Sequence, residues 1–97
     1  MQITEIAIRL WDEEKLKAFV NVTFDNCFVV RGMKVIQGTN GHFIISMPSR
    51  KAVDGSYREV AHPINQDFRQ ELEQAILEKY QEALSQAERG ERKRHEE

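Results

Sequence analysis

Arg50 and Lys51 stand side by side directly after Pro48-Ser49, and Arg58 follows just beyond Asp54-Gly55. Cations on an exposed loop reach phosphate oxygens, and the guanidinium fork of arginine matches phosphate geometry. Ser49 and the backbone N–H groups of the same stretch would add neutral hydrogen bonds to a phosphate backbone. Tyr57 offers a ring on which an unpaired base can stack. Arg31 and Lys34 form an outer ring of this patch, or simply occupy the solvent face of their strand. A bland alternative exists for the whole set, because surface charges are common and these could merely solvate a loop. Residue types alone leave both readings open.

Other reactive side chains are scattered. His42, His62 and Cys27 show neither HxxxH nor CxxC spacing, so no metal and no cofactor are expected. A single cysteine cannot form an internal disulfide, and Cys27 reads as a small half-buried thiol at the start of a strand. No nucleophile–base motif, phosphate-cradling glycine loop or placed carboxylate pair is present, and the chain is not expected to be an enzyme. His62, before Pro63, is expected to serve packing. Trp11 is expected to seal a core edge or an interface. Arg92, Lys93 and Arg94 are offset by Glu88, Glu91, Glu96 and Glu97, and are assigned to solvent.

With 97 residues, 40% hydrophobic and 31% charged, the chain has the composition of one small globular domain. A core of this size is thin, and pairing of two copies would enlarge it. The formal net charge of -2 argues against a basic field over the whole protein, so any nucleic-acid contact must be local. Residues 1–64 carry eight Lys/Arg against seven Asp/Glu, and residues 65–97 carry six against nine, placing the acidic excess in the C-terminal third. The N-terminus lacks the pattern of a signal peptide and no membrane-length apolar run occurs, so a cytoplasmic location is expected.

The elements that must position the patch follow from periodicity. Ile6, Ile8 and Leu10 alternate with Ala7 and Arg9, predicting a first strand over residues 4–10. After a charged turn at Asp12, Glu13 and Glu14, the alternation resumes with Leu16, Ala18, Val20, Val22 and Phe24 facing inward. Asp25 and Asn26 tolerate tight-turn geometry, so the next strand, starting at Phe28, should pair back as a hairpin. Inward parity then shifts from Phe28 and Val30 to Met33 and Val35, which predicts a bulge at Gly32. Asn40-Gly41 predicts another hairpin turn before a fourth strand over residues 42–47. Pro48 should take the chain out of the sheet, into an irregular stretch over residues 49–56 and a short last strand over 57–61.

Asn65 sits where a helix N-cap belongs, with Asp67 in the first turn. Phe68, Leu72, Ala75, Ile76, Tyr80, Ala83 and Leu84 then mark one helical face, running to about residue 87 and ended by Gly90. The expectation is an α+β fold: an antiparallel sheet of four to five strands, a long C-terminal amphipathic helix and a short charged tail. Residues 1–88 would form the domain and 89–97 a disordered tail.

The stretch from Phe28 to Asn65 resembles the central signature of the stage V sporulation protein G (SpoVG, septation regulator) family. The features that carry the likeness keep their order: Gly38 with Asn40-Gly41, the run Met47-Pro48-Ser49-Arg50-Lys51, Asp54-Gly55, and Ala61-His62-Pro63-Ile64. Ile3-Thr4 and the helix extend it over about residues 1 to 85. His42 replaces an apolar residue usual in the family, and Glu59 replaces an aspartate; neither lies in the Arg50-Lys51 pair. The resemblance implies a dimeric bacterial cytosolic regulator that binds DNA, and in some members RNA, and modulates transcription, septation or sporulation. A different class, a module that recruits a division or regulatory protein through a strand edge or the helix, remains the alternative.

Overall fold

The computed structural model describes residues 1–89. Strands β1 (Ile3–Leu10), β2 (Leu16–Phe24), β3 (Phe28–Gln37) and β4 (Phe43–Ser46) form one antiparallel sheet in that order. A separate two-stranded ribbon follows, made of β5 (Ser49–Lys51) and β6 (Tyr57–Glu59), and the helix α1 (Gln66–Arg89) completes the α+β fold.

Each turn has a local cause. Asp25 and Asn26 both take left-handed conformations, with φ of 52° and 55°, and the N–H of Cys27 donates to the Phe24 carbonyl at 3.0 Å. Short polar side chains tolerate that region best after glycine. The N-terminal segment clamps this turn: the N–H of Gln2 donates to Asp25 Oδ1, and the N–H of Asn26 donates to Thr4 Oγ1. Two further hairpins, β3–β4 and β5–β6, share a different geometry. In one, the N–H of Gly41 donates to the Gly38 carbonyl; in the other, the N–H of Gly55 donates to the Ala52 carbonyl. Gly41 and Gly55 have φ of 86° and 89°, so each glycine closes its turn at the position after the bend.

The bulge expected at Gly32 is present. Val20 pairs with Met33 and Val22 with Val30, so Asn21 is opposed by both Arg31 and Gly32. Gly32 has φ of 91°, and a Cβ there would lie 3.5 Å from the Pro48 Cβ. The bulge restores the inward parity that buries Met33 and Val35.

The core lies between one sheet face and α1. Ala18, Val20, Val22 and Phe24 of β2, Met33 and Val35 of β3, and Ile45 and Met47 meet Leu72, Ile76 and Tyr80, which recur every fourth residue along the helix. The helix begins at its expected cap: Asn65 Oδ1 accepts the N–H of Phe68 at 2.7 Å. Tyr80 packs edge-on against Phe43, and burial pushes its hydroxyl pKa up.

Several expectations need correction. The stretch over residues 49–56 is not irregular, because its first three residues pair with β6; with both faces in water, it carries no hydrophobic alternation to announce a strand. The last strand ends at Glu59 and pairs with β5, leaving the main sheet with four strands. Phe28 points toward the helix side but lies at the open end of the sandwich, where it is 64% exposed. Cys27 is exposed, since it belongs to the turn and not to the strand. The helix extends to Arg89. The expected stop at Gly90 and the tail cations Arg92, Lys93 and Arg94 lie outside the described residues. No described helix is long and apolar enough to cross a membrane.

Candidate nucleic-acid interface

Pro48 is buried at the root of the ribbon, and its carbonyl accepts the N–H of Val60 at 2.8 Å. From that anchored root, Ser49 to Lys51 run out and Tyr57 to Glu59 run back, every one of the six exposed. Arg50 stands directly opposite Arg58, Lys51 opposite Tyr57, and Ser49 opposite Glu59. Side chains alternate across a strand, so Arg50 and Arg58 share one face while Lys51, Tyr57, Ser49 and Glu59 share the other. The sequence-adjacent cations Arg50 and Lys51 are thereby separated, and the distant pair Arg50 and Arg58 is brought together.

The far end of the ribbon is tied internally. Asp54 Oδ1 accepts hydrogen bonds from the hydroxyl of Ser56 at 2.7 Å and from its backbone N–H at 3.0 Å. These two bonds, the hydroxyl's first, hold the Asp54 carboxyl below its ordinary pKa. The carboxylate is thus engaged at the turn. Among the described residues, the ion pairs are Arg69 with Glu73 and Lys79 with Glu82, both on α1. Arg50, Lys51 and Arg58 have none. Like charges placed directly across two strands destabilise the pairing, and an anion bound between them relieves it.

Lys34 and Arg31 are on β3 and not on the ribbon. Lys34 pairs with Phe19 on one side and Ser46 on the other, on the sheet face that α1 does not cover. Arg31 is exposed at the bulge, next to the glycine that lies against Pro48. The five residues Ser49, Arg50, Lys51, Tyr57 and Arg58 therefore form one structural unit, to which Arg31 is adjacent through the bulge and Lys34 through β4.

Trp11 does not seal the core edge. It is 40% exposed on the uncovered sheet face, where its ring meets Phe19 edge-on at 5.3 Å and the Arg9 guanidinium lies 5.6 Å from its centroid. Reading by periodicity passed over Arg9 and Phe19; the available signal was an aromatic at a polar-face position of a strand. His62 is exposed, with Nδ1 3.0 Å from the Pro63 carbonyl, so it makes a local loop contact and does not pack in the core. Among the described residues no cluster of three or more His, Cys, Asp or Glu could hold a metal ion.

Comparison with known proteins places this geometry in a family. The SpoVG family matches residues 1–82. A protein of Clostridioides difficile named "Putative septation protein SpoVG" is 54% identical over 87 residues, covering 89% of this chain and 94% of that one. Proteins of the same name from Caldicellulosiruptor saccharolyticus and Myxococcus xanthus are 50% and 47% identical, over 88% and 93% of this chain and 97% and 90% of theirs. With that span of the sequence matched, and with the ribbon, bulge and helix all lying within or overlapping it, the chain belongs to the SpoVG family.

Proposed function

We propose that this protein is a nucleic-acid-binding regulator that grips the phosphate backbone of duplex DNA with its β5–β6 ribbon. Its work as a regulator would bear on gene expression and septation, the latter being the activity in the name its relatives carry. One observation supports the reading above the others: Arg50 and Arg58 face the same way from an exposed two-stranded ribbon, with no carboxylate paired to either. The major groove of B-form DNA admits a ribbon of this kind, and paired guanidiniums suit phosphate oxygens or the acceptor edge of guanine. Ser49 and Lys51 contribute further phosphate contacts, and Tyr57 offers a ring beside Lys51. With a net charge of -2, the attraction must come from a local patch such as this ribbon.

The reading includes a homodimer in the bacterial cytoplasm. Its support is the small core together with the exposed apolar side chains at the open end of the sandwich, Phe28 at 64% and Ile64 at 92%. The same apolar end favours a second reading, recruitment of a division or regulatory protein without nucleic acid. No catalysis, metal or cofactor enters either reading.

The test is an anisotropy titration of labelled duplex DNA at two salt concentrations with wild type and with Arg50→Ala/Lys51→Ala. Salt-sensitive binding that the double variant weakens by about tenfold or more is expected, because each phosphate contact carries its own counterion release. Unchanged affinity of a folded double variant would remove the ribbon from the interface. Absence of any binding at low salt would favour the protein-recruitment reading.

A further inference from the structure

The helix covers one face of the sheet and leaves the other open. Down the middle of the open face runs a row in register: Arg9 of β1 opposite Phe19 of β2, Phe19 opposite Lys34 of β3, and Lys34 opposite Ser46 of β4. Directly opposed residues share a face and lie about 5 Å apart, so one aromatic ring is flanked on both sides by a cation. Trp11 joins the row from the end of β1. Its backbone N–H donates to the Lys17 carbonyl, which puts its side chain on the same face as Arg9 and Phe19. The edge-on contact of the two rings and the guanidinium against the indole hold this cluster together.

Resting on the nucleic-acid reading above, we propose that this open sheet face binds single-stranded nucleic acid, stacking unpaired bases on Trp11 and Phe19 and holding phosphates with Arg9 and Lys34. Charge selects the occupant. Arg9, Lys17 and Lys34 project from the strands of this face against one carboxylate, Glu5; the Lys17 ammonium is already engaged by the Glu13 carbonyl. A second copy docking face to face would bring this cation-bearing patch against the same patch on its partner, because a two-fold interface uses one surface twice. A polyanion neutralises them instead. Aromatic rings between cations are the recurrent means of holding a single strand, since every base has a π-face while a paired base keeps its own face stacked. The acidic turn of Asp12, Glu13 and Glu14 lies beyond Trp11, so the strand's phosphates would lie toward Lys34.

Trp11 is the sole tryptophan in the sequence, which makes the proposal directly readable. The full chain is titrated with an oligouridylate and, separately, with blunt duplex DNA, following both Trp11 fluorescence and the anisotropy of labelled probes. Oligouridylate is expected to quench Trp11 and the duplex to leave it nearly unchanged. Phe19→Ala and Arg9→Ser should each weaken oligouridylate about tenfold and leave duplex affinity as it was, consistent with the usual worth of one stacked base. Oligouridylate binding that neither quenches Trp11 nor responds to Phe19→Ala would overturn the open face while leaving the ribbon intact. Equal weakening of both probes by Phe19→Ala would overturn the separation of the two surfaces. Failure of both probes to bind wild type would remove this proposal together with the nucleic-acid reading on which it rests. The wild-type quenching arm stands even if a variant fails to fold.

Discussion

Arg50 and Arg58 are eight positions apart in sequence and directly opposed in the ribbon, a placement that costs stability and presents two forks to an anion. Function and stability should therefore separate at Arg58. Replacing it with threonine, a good strand former, is expected to leave the melting temperature equal or slightly higher. Duplex affinity should fall, and the log–log slope against salt should shrink by about 1, the share of one phosphate contact. Parallel thermal melts and salt-dependent anisotropy decide it; a large loss of melting temperature would show that Arg58 holds the ribbon and does not serve a ligand. At this scale the cation set was legible from residue type and turn signals. Which cations share a face was not, because alternation across a strand separates Arg50 from Lys51 only once a strand is known to exist there.

Among the elements, the bulge in β3 connects the sheet to the ribbon. Gly32 holds φ of 91° where Asn21 meets two residues, and it lies against Pro48 at the ribbon's root. The space for a Cβ is adequate; the backbone conformation is what an L-residue resists. Gly32→Ala should accordingly destabilise the fold by about 1–2 kcal/mol, the cost of forcing a non-glycine residue into left-handed backbone. Urea unfolding measures it, and a cost near zero would mean that the bulge relaxes elsewhere. This feature could be read in advance from the shift in inward parity between Val30 and Met33. The N-cap at Asn65 could be read as well, since a polar cap side chain precedes the first helical turn. Strand β5 could not: Ser49, Arg50 and Lys51 are exposed on both sides, so neither burial nor alternation marks them.

For the whole molecule, one layer of helix on one sheet face supplies the core, and the central helical contact is Ile76, fully buried among residues of the sheet and helix. Ile76→Ala should cost about 2–5 kcal/mol, a large share of the about 5–15 kcal/mol that a domain of this kind commonly has. Chemical denaturation would show it as a lower midpoint at similar slope; a loss below about 1 kcal/mol would mean that the helix packs less tightly than its burial indicates. Sequence alone determined the α+β class, the order of β1 to β4 and the helix, the turns at Asp25-Asn26, Gly41 and Gly55, and the inward faces of β2 and α1. Those features follow from local backbone preference and from apolar periodicity, both written residue by residue. Tertiary structure alone decided that Phe28 stays exposed at the open end, that Trp11 and Phe19 meet on the uncovered face, and that Arg9, Phe19 and Lys34 fall in one row. Those are properties of strand register and of where a single helix stops covering a four-stranded sheet, and register is set by pairing between distant residues, which no local pattern contains.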